Sequence, residues 1–395
     1  MGKGRNKNKE GDGGFAPNHA NKRKDKNEDY DSDSGESMST HITFDEDLQS
    51  VRGDIDGDED TLIDSLSEHI DNASHKNVGI RTAALKHLLF GLTSRYLSEF
   101  VAKWQATLAE VGNKAIRKSD EEILLGASLT ALITLQAGDE VAEDISDSLG
   151  QLRFIVTDPA KNDAIRAHCA LCLALATYFG TDSDELTALA LKALRQTWTA
   201  TKSTAVSWRL FDISLASWAL LLQDGPTDAL TSAIQDQPKI VGYLEANCTE
   251  IRIAAGEVLA FLYEYVDDAK PGFRFPNHNH VQEILETLLA DSSKSKAKRD
   301  KRIQKFSLRT QESLELDSCA KKLLYDLCTD LLRGGMMQQL KENGLLRDYF
   351  SLGAPVQASG FEDKISKAER LGVHGAAAKY RHQVRSKQRD KRTAY

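Results

Sequence analysis

One nine-residue pattern recurs through the middle of the chain at a nearly fixed interval: IRTAALKHL from Ile80, ILLGASLTA from Ile123, IRAHCALCL from Ile165, WRLFDISLA from Trp208 and IRIAAGEVL from Ile251. The starts are 43, 42, 43 and 43 residues apart. Four residues into each copy stands something small, Ala84, Ala127, Cys169 and Ala255, with Asp212 the exception; eight residues in come Leu88, Ala131, Leu173, Ala216 and Leu259. Positions 0, 4 and 8 share one face of a helix, and small or aliphatic residues there predict a helix pressed between neighbours. A period near 43 built only of helices is that of HEAT or armadillo arrays, in which no unit buries its apolar face alone and stacking makes the core. The expected fold class is all-α, an armadillo/HEAT-like helical-repeat solenoid of five repeats filling residues 61–290. The Arg at the second position of four copies (Arg81, Arg166, Arg209, Arg252) either reaches a carboxylate of the adjacent repeat or is an ordinary exposed charge.

The period calls for another helix start near residue 294. The chain instead reads KSKAKRDKRIQKFSLR from Lys294, eight basic residues and one acid. Residues 291–310 are therefore set apart as a basic insertion. Helical spacing resumes in SLELDSCAKKLLYDLCTDLLRGG and stops at Gly334-Gly335 in the manner of a helix C-terminus. NGLLRDYFSLGAPV (Asn343 to Val356) then reads as a compact docked segment, which completes a helical part at 311–358 and leaves a basic tail at 359–395.

Charge separates these parts. Residues 1–60 hold 9 basic and 16 acidic side chains, residues 61–290 hold 19 and 30, and residues 291–395 hold 23 and 13, in a chain of net charge −8. Such asymmetry concerns partners more than fold, and the basic end points to a polyanion. If the tail is helical, Arg381, Arg385 and Arg389 form one row and Lys387 and Lys391 another, with Lys379 and Arg392 at the ends. Only Ala377, Tyr380 and Val384 make an apolar stripe, too thin to hold the helix on a core, so the tail is expected to order on binding. Positive charge around most of the axis suits an RNA-lined passage. In the insertion, Lys294, Lys296, Lys298, Arg299, Lys301 and Arg302 are the further candidates for RNA contact.

Residues 1–60 lack apolar periodicity and are expected to be disordered. A basic patch, NKRKDK, precedes the acidic run EDYDSDSGES, where phosphorylation of Ser32, Ser34 or Ser37 would deepen the negative charge. No apolar run has the length of a membrane span or a secretory signal, and Asn6 stands where a myristoylation signal needs Ser or Thr. The expected location is cytoplasmic, with a nuclear pool also allowed, and no membrane partner is foreseen. Five scattered cysteines make no disulfide framework and are expected to be reduced.

No chemistry-bearing motif stands out. His168, Cys169 and Cys172 resemble half of a zinc site, but no second pair supplies the remaining ligands. The loop histidines of PNHNH (Pro276 to His280) are better read as loop polarity. DIDGDEDTLIDS from Asp54 has its glycine and its closing residue wrong for a calcium loop. Phosphate-binding loops, nucleophile elbows and HExxH are all missing. The expectation is a protein that is not an enzyme, with no metal, cofactor or small-molecule substrate.

The order of parts, with YFSLGAPV (Tyr349, Phe350, Leu352, Gly353 and Pro355 its distinctive members) and RSKQRDKR (Arg385 to Arg392), resembles the interferon-related developmental regulator family from about residue 60 to the end. The resemblance implies a non-enzymatic regulator, of a kind described both as transcriptional co-regulator and as a ribosome-binding restraint on translation, and brings no catalytic residues. Base-specific DNA reading has no motif to support it. The chain is therefore expected to be a ribosome-binding translational repressor or dormancy factor, its repeats docked between the subunits against ribosomal RNA and proteins and its basic tail in an RNA-lined passage. The alternative is a nuclear co-regulator scaffold for transcription factors or deacetylase complexes.

Overall fold

The five copies of the recurring pattern fall on the second helices of five successive helix pairs. The computed structural model describes residues 59–201, 207–293, 304–309 and 312–355. The pairs are α1 (Glu59–Asn72) with α2 (Val78–Ser94), α3 (Ser98–Ile116) with α4 (Asp120–Ala137), α5 (Ala142–Thr157) with α6 (Asp163–Gly180), α7 (Asp184–Ala200) with α8 (Trp208–Leu222), and α9 (Ala229–Gly242) with α10 (Thr249–Ala269). A further helix, α11 (His278–Ser293), follows them. The polar breaks carry helix starts: Asn77, Ser119, Asn162 and Ser183 each accept, through the side chain, a backbone N–H of the first turn that has no partner inside the helix.

The even-numbered helices stack in one row, α2 on α4, α4 on α6, α6 on α8 and α8 on α10, while α3 packs on α5 and α5 on α7 in a second row. The chain is thus a helical-repeat solenoid. Ala84, Ala127, Cys169 and Ala255 are each 1% exposed or less, as pressure between neighbouring helices requires. Helix α4 is buried from Glu122 to Gln136 without a break, which is why its apolar residues are spread round the axis and not confined to a stripe. It also approaches α3 closely: a Cβ on Gly126 would lie 2.7 Å from the carbonyl oxygen of Gly112.

Bonds one repeat long fix the stacking register. Arg81 Nε donates to Glu122 Oε1 at 2.8 Å, Thr197 Oγ1 to the carbonyl of Val156 at 3.2 Å, and Arg195 makes a two-pronged contact with Asp236. Of the four second-position arginines, Arg81 alone reaches the next repeat's carboxylate. Arg166 bonds the carbonyl of Val156 on α5 and Asp163 at its own helix start, Arg252 bonds groups at its own helix start, and Arg209 pairs with Asp212 and with Asp330, far along the chain.

Beyond α11 the structure departs from expectation. Gln304–Arg309 (β1) and Glu312–Leu316 (β2) form an antiparallel hairpin with Phe306 opposite Leu314 and an irregularity between Ser307 and Arg309. Of the basic insertion set apart at 291–310, the described residues are the end of α11, to Ser293, and β1, from Gln304. SLEL does not open a helix. Leu314 and Leu316 are buried and Glu315 is exposed, the two-residue alternation of a strand, and the helix starts only at Cys319, capped by Ser318.

That helix, α12 (Cys319–Leu332), a 3-10 turn at Arg333–Gly335, α13 (Met336–Glu342) and α14 (Gly344–Tyr349) make a strap. It runs back along the even-numbered row: α12 lies on α10, α8 and α6, α13 on α2, and α14 on α4.

Candidate functional site

Helices in a row end with carbonyl groups that lack partners inside the helix. At the end of α2 these are served twice. Gln136, from the next repeat, donates its side-chain amide to the carbonyls of Leu92 (2.8 Å) and Arg95 (3.0 Å), and Gln339, from the strap, donates to Leu92 (3.0 Å) and Arg95 (2.8 Å). Asn343 does the same for α4, giving its Nδ2 hydrogen to Leu135 at 2.8 Å while its Oδ1 caps the start of α14. The strap reaches this depth because Gly335 has no side chain: a Cβ there would stand 2.2 Å from the carbonyl oxygen of Thr93.

The motif residues finish the strap. Tyr349 is half-buried against Tyr178 and Phe179, with ring centroids 5.0 and 5.1 Å away. Burial raises the pKa of its hydroxyl, and the carboxylates of Asp224, Asp182, Asp139 and Asp348 raise it further. Phe350 is buried near Tyr325, Leu352 is half-buried, and Pro355 is exposed. The chain turns through Ser351 (φ 58°) and Gly353 (φ 82°), and the turn is closed by a 2.9 Å bond from the N–H of Leu352 to the carbonyl of Arg347. Arg347, 1% exposed, fills the turn: it donates to the carbonyls of Leu340 and Gly353 and, with both terminal nitrogens, to Glu312 on β2. The YFSLGAP segment is therefore a docking element built around a buried guanidinium.

Ion pairs also join α8, α10 and α12. Arg209 bridges Asp212 (3.2 Å) and Asp330 (2.6 Å), Lys322 bridges Glu257 (2.9 Å) and Asp326 (2.6 Å), and the N–H of Cys319 donates to Glu264. Burial pushes the Asp212 carboxyl up to about 6; Arg209 opposes that, and Asp330 and Glu257 reinforce it.

The half-zinc arrangement of the sequence belongs to the core. His168 Nε2 is 2.8 Å from Ser128 Oγ and 3.5 Å from Cys172 Sγ, and burial pushes the Cys169 thiol up to about 12 and raises that of Cys172 as well. Thiols so held are poor nucleophiles and poor ligands. Among the described residues no three or more His, Cys, Asp or Glu side chains gather as a metal site would need, and no helix is long and apolar enough to cross a membrane.

The basic residues singled out for RNA contact, Lys294, Lys296, Lys298, Arg299, Lys301 and Arg302 in the insertion and Lys379, Arg381, Arg385, Lys387, Arg389, Lys391 and Arg392 in the tail, lie outside the described residues, as does the run with Ser32, Ser34 and Ser37. The structure instead brings forward Gln136, Gln339, Asn343 and Arg347, which the sequence reading passed over. Gln136 did carry a signal, as the one amide in α4, and Asn343-Gly344 has the form of a helix start.

A family model described as interferon-related developmental regulator matches residues 31–310, and one described as interferon-related protein conserved region matches residues 343–393. The chain belongs to the interferon-related developmental regulator family. Interferon-related developmental regulator 1 of Mus musculus is 31% identical over 374 residues, spanning 86% of this chain and 83% of that protein. Interferon-related developmental regulator 2 of Mus musculus is 30% identical over 368 residues, spanning 85% and 83%. Among solved structures, the designed armadillo repeat protein YIII(Dq)4CqI aligns with a TM-score of 0.41 at 13% identity, over 54% of this chain and 91% of that one. The second interferon-related match opens at Asn343, so it begins on the residue that locks the strap to α4 and extends through the basic tail.

Proposed function

We propose that this family member is a non-enzymatic ribosome-binding regulator of translation, a repressor or dormancy factor. Its repeats dock between the subunits, and its basic tail, from residue 359 on, enters an RNA-lined passage; the lysines and arginines of 294–302 add RNA contacts. The observation that carries the reading is the strap. Stacked repeats offer partners an extended surface, and here the even-numbered row is taken up by the chain's own α12 to α14. Partner contact then falls to the remaining faces and to the strongly basic sequence after Pro355. The reversal of charge, 19 basic against 30 acidic residues in 61–290 and 23 against 13 in 291–395, supports a partner offering both RNA and protein.

The test is sedimentation of the endogenous protein through a sucrose gradient. Co-migration with whole ribosomes that survives nuclease treatment is the expected result. A nuclear pool free of ribosomes overturns the reading in favour of a co-regulator scaffold.

A further inference from the structure

The strap takes up the even-numbered row; among the described residues it makes no comparable packing on the odd-numbered one. Charge on that second row is segregated along the helix axes. The first halves of α3, α5, α7 and α9, residues 98–109, 142–149, 184–191 and 229–234, hold 1 basic and 6 acidic side chains. The stretches 110–118, 150–157, 192–200 and 235–242, which are their second halves and the two residues after α3, hold 7 basic and 2 acidic. The helix macrodipole favours cations at C-terminal ends, so this segregation alone calls for no ligand.

It does not account for Phe154. That ring, in the second half of α5, is 68% exposed, the most exposed large apolar side chain among the described residues. It stands on the side of the helix opposite the buried Ile145, Leu149, Leu152 and Val156. One turn before it is Gly150, where a Cβ would meet Arg153 Nη2 at 3.7 Å and no atom of Phe154 within 4 Å, so the space beside the ring is open. Arg153 itself keeps Nη1 buried without a hydrogen-bond partner.

Two bonds show what stands level with the ring. Gln105 Nε2 donates to Asp144 at 3.3 Å between α3 and α5, and Thr197 to Val156 between α7 and α5, so Phe154 is level with Ala115 on one side and Arg195 on the other. Arg117 lies two residues beyond that level, about 3 Å along the axis, and Lys192 three residues short of it, about 4.5 Å. Both are exposed, and neither has a carboxylate partner among the described residues. With neighbouring axes about 8–10 Å apart, cation, ring and cation cross the row in about 20 Å. The acids at this level are engaged: Glu110 by Lys114, Asp236 by Arg195, and Asp158, just after α5, by the N–H of Ala160. The exposed Asp147 is two turns, or about 10 Å, back from Phe154.

We infer that the outer face of α3, α5 and α7 is a binding site for single-stranded RNA, with an unpaired base stacked on Phe154 and the flanking phosphates held by Arg117 and Lys192. A ring on a ridge offers its face to a flat base, whereas an apolar peptide side chain gains most from a hollow. Stacking accepts any base, and a duplex, whose bases are enclosed, has none to give. The acidic first halves of the same helices repel phosphate and hold the strand to the basic level. This site deepens the ribosome reading above and rests on it for the source of the RNA.

The test uses the full chain with Arg381, Arg385, Lys387 and Arg389 changed to Glu, so that the tail does not mask a second site. Fluorescence anisotropy compares labelled decauridine with an abasic RNA decamer at low salt. Decauridine should bind about tenfold more tightly. Phe154→Ala should remove that advantage and Phe154→Tyr should keep it, while Arg117→Glu and Lys192→Glu should weaken both decamers. A decamer carrying 5-iodouridine should crosslink at Phe154. Equal binding of the two decamers, an advantage that survives Phe154→Ala, or crosslinks confined to other segments would each overturn the inference. So would tighter binding of an acidic decapeptide that Phe154→Ala abolishes, which would make the face a protein-docking surface. Pelleting of the wild-type chain with purified ribosomes reads the earlier proposal separately: its absence overturns that proposal, and the decamers alone decide this one.

Discussion

Arg347 and Glu312 face each other across the junction of strap and hairpin, Nη2 to Oε1 at 2.5 Å and Nη1 to Oε2 at 3.3 Å. The arginine is 1% exposed and the glutamate side chain 24%. Through this pair the reversal after α14 is tied to β2, and the two-stranded hairpin, too small to stand alone in water, gains a support.

Arg347→Ala should therefore destabilise the protein by about 3 kcal/mol, since it takes the partner from a half-buried carboxylate and leaves the carbonyls of Leu340 and Gly353 without their donor. Arg347→Lys keeps the charge but not the fork and should lose a large part of the same amount. Urea denaturation followed by circular dichroism measures both, and a midpoint unchanged in Arg347→Ala would refute the structural role given to the motif.

Gly335 and Gly334 make an internal control. A Cβ at Gly335 meets the backbone of Thr93 at 2.2 Å, while one at Gly334 meets nothing within 4 Å. Gly335→Ala should lift the strap from α2, seen as faster proteolysis around residues 333–349 and a lower melting temperature; Gly334→Ala should do neither. Similar behaviour of the two variants would place the strap elsewhere.

Stability should carry a pH signature from Asp212, whose folded pKa of about 6 lies above its ordinary value of 3.8. The folded chain holds this proton more tightly than the unfolded one, so the group's contribution is fully present below about pH 4 and is lost as pH rises through 6. Asp212→Asn escapes the loss. Its stability should gain on wild type between about pH 4 and 6, by on the order of 1–3 kcal/mol, and keep a constant lead above. Denaturant titrations at three pH values test this, and a difference that does not change with pH contradicts it.

The tail prediction bears on function. A protein ending at Gly375, and one with Arg381, Arg385, Lys387 and Arg389 changed to Glu, should keep wild-type helicity yet pellet poorly with purified ribosomes. If about six phosphates are contacted, raising salt from 50 to 200 mM should weaken wild-type binding by roughly a thousandfold, and protein contacts by the repeats would soften that slope. Equal pelleting of all three proteins would remove the tail from the interaction.

The solenoid was legible because its cause is local and repeated. A small residue such as Ala84 or Ala127 is needed wherever one helix presses on the next, and the need returns once per repeat. That NGLLRDYFSLGAPV docks was legible, but where it docks was not: Gln339 answers carbonyls near residue 93, Asn343 one at 135, and Tyr349 the rings of 178 and 179. Those positions recur with the repeat, 42 and 43 residues apart, but 339, 343 and 349 on the strap carry no such period that would match them. The hairpin was missed for another reason. SLEL has the alternation of a strand, but it abuts α12, and the helical spacing of the longer stretch absorbed it. As for the candidate site, the sequence pointed to the motif but not to Arg347, because a buried arginine looks like any other charge until its acceptors are placed around it.

Repeat arrays are ordinarily held by nearest-neighbour contacts, can nucleate anywhere and tend to fray from their ends. A bond such as that from Gln339 to Leu92 spans 247 positions and changes this. It raises the contact order of the chain and makes the last turn of α2 depend on residues synthesised long after it. The array can assemble as it emerges, but the terminal carbonyls of α2 and α4 receive their strap donors only after residue 343 has been added and freed. Biogenesis should therefore include an abrupt locking step once residue 343 is free, and a nascent chain halted before that point would have the repeats of the mature protein with the even-numbered row uncovered.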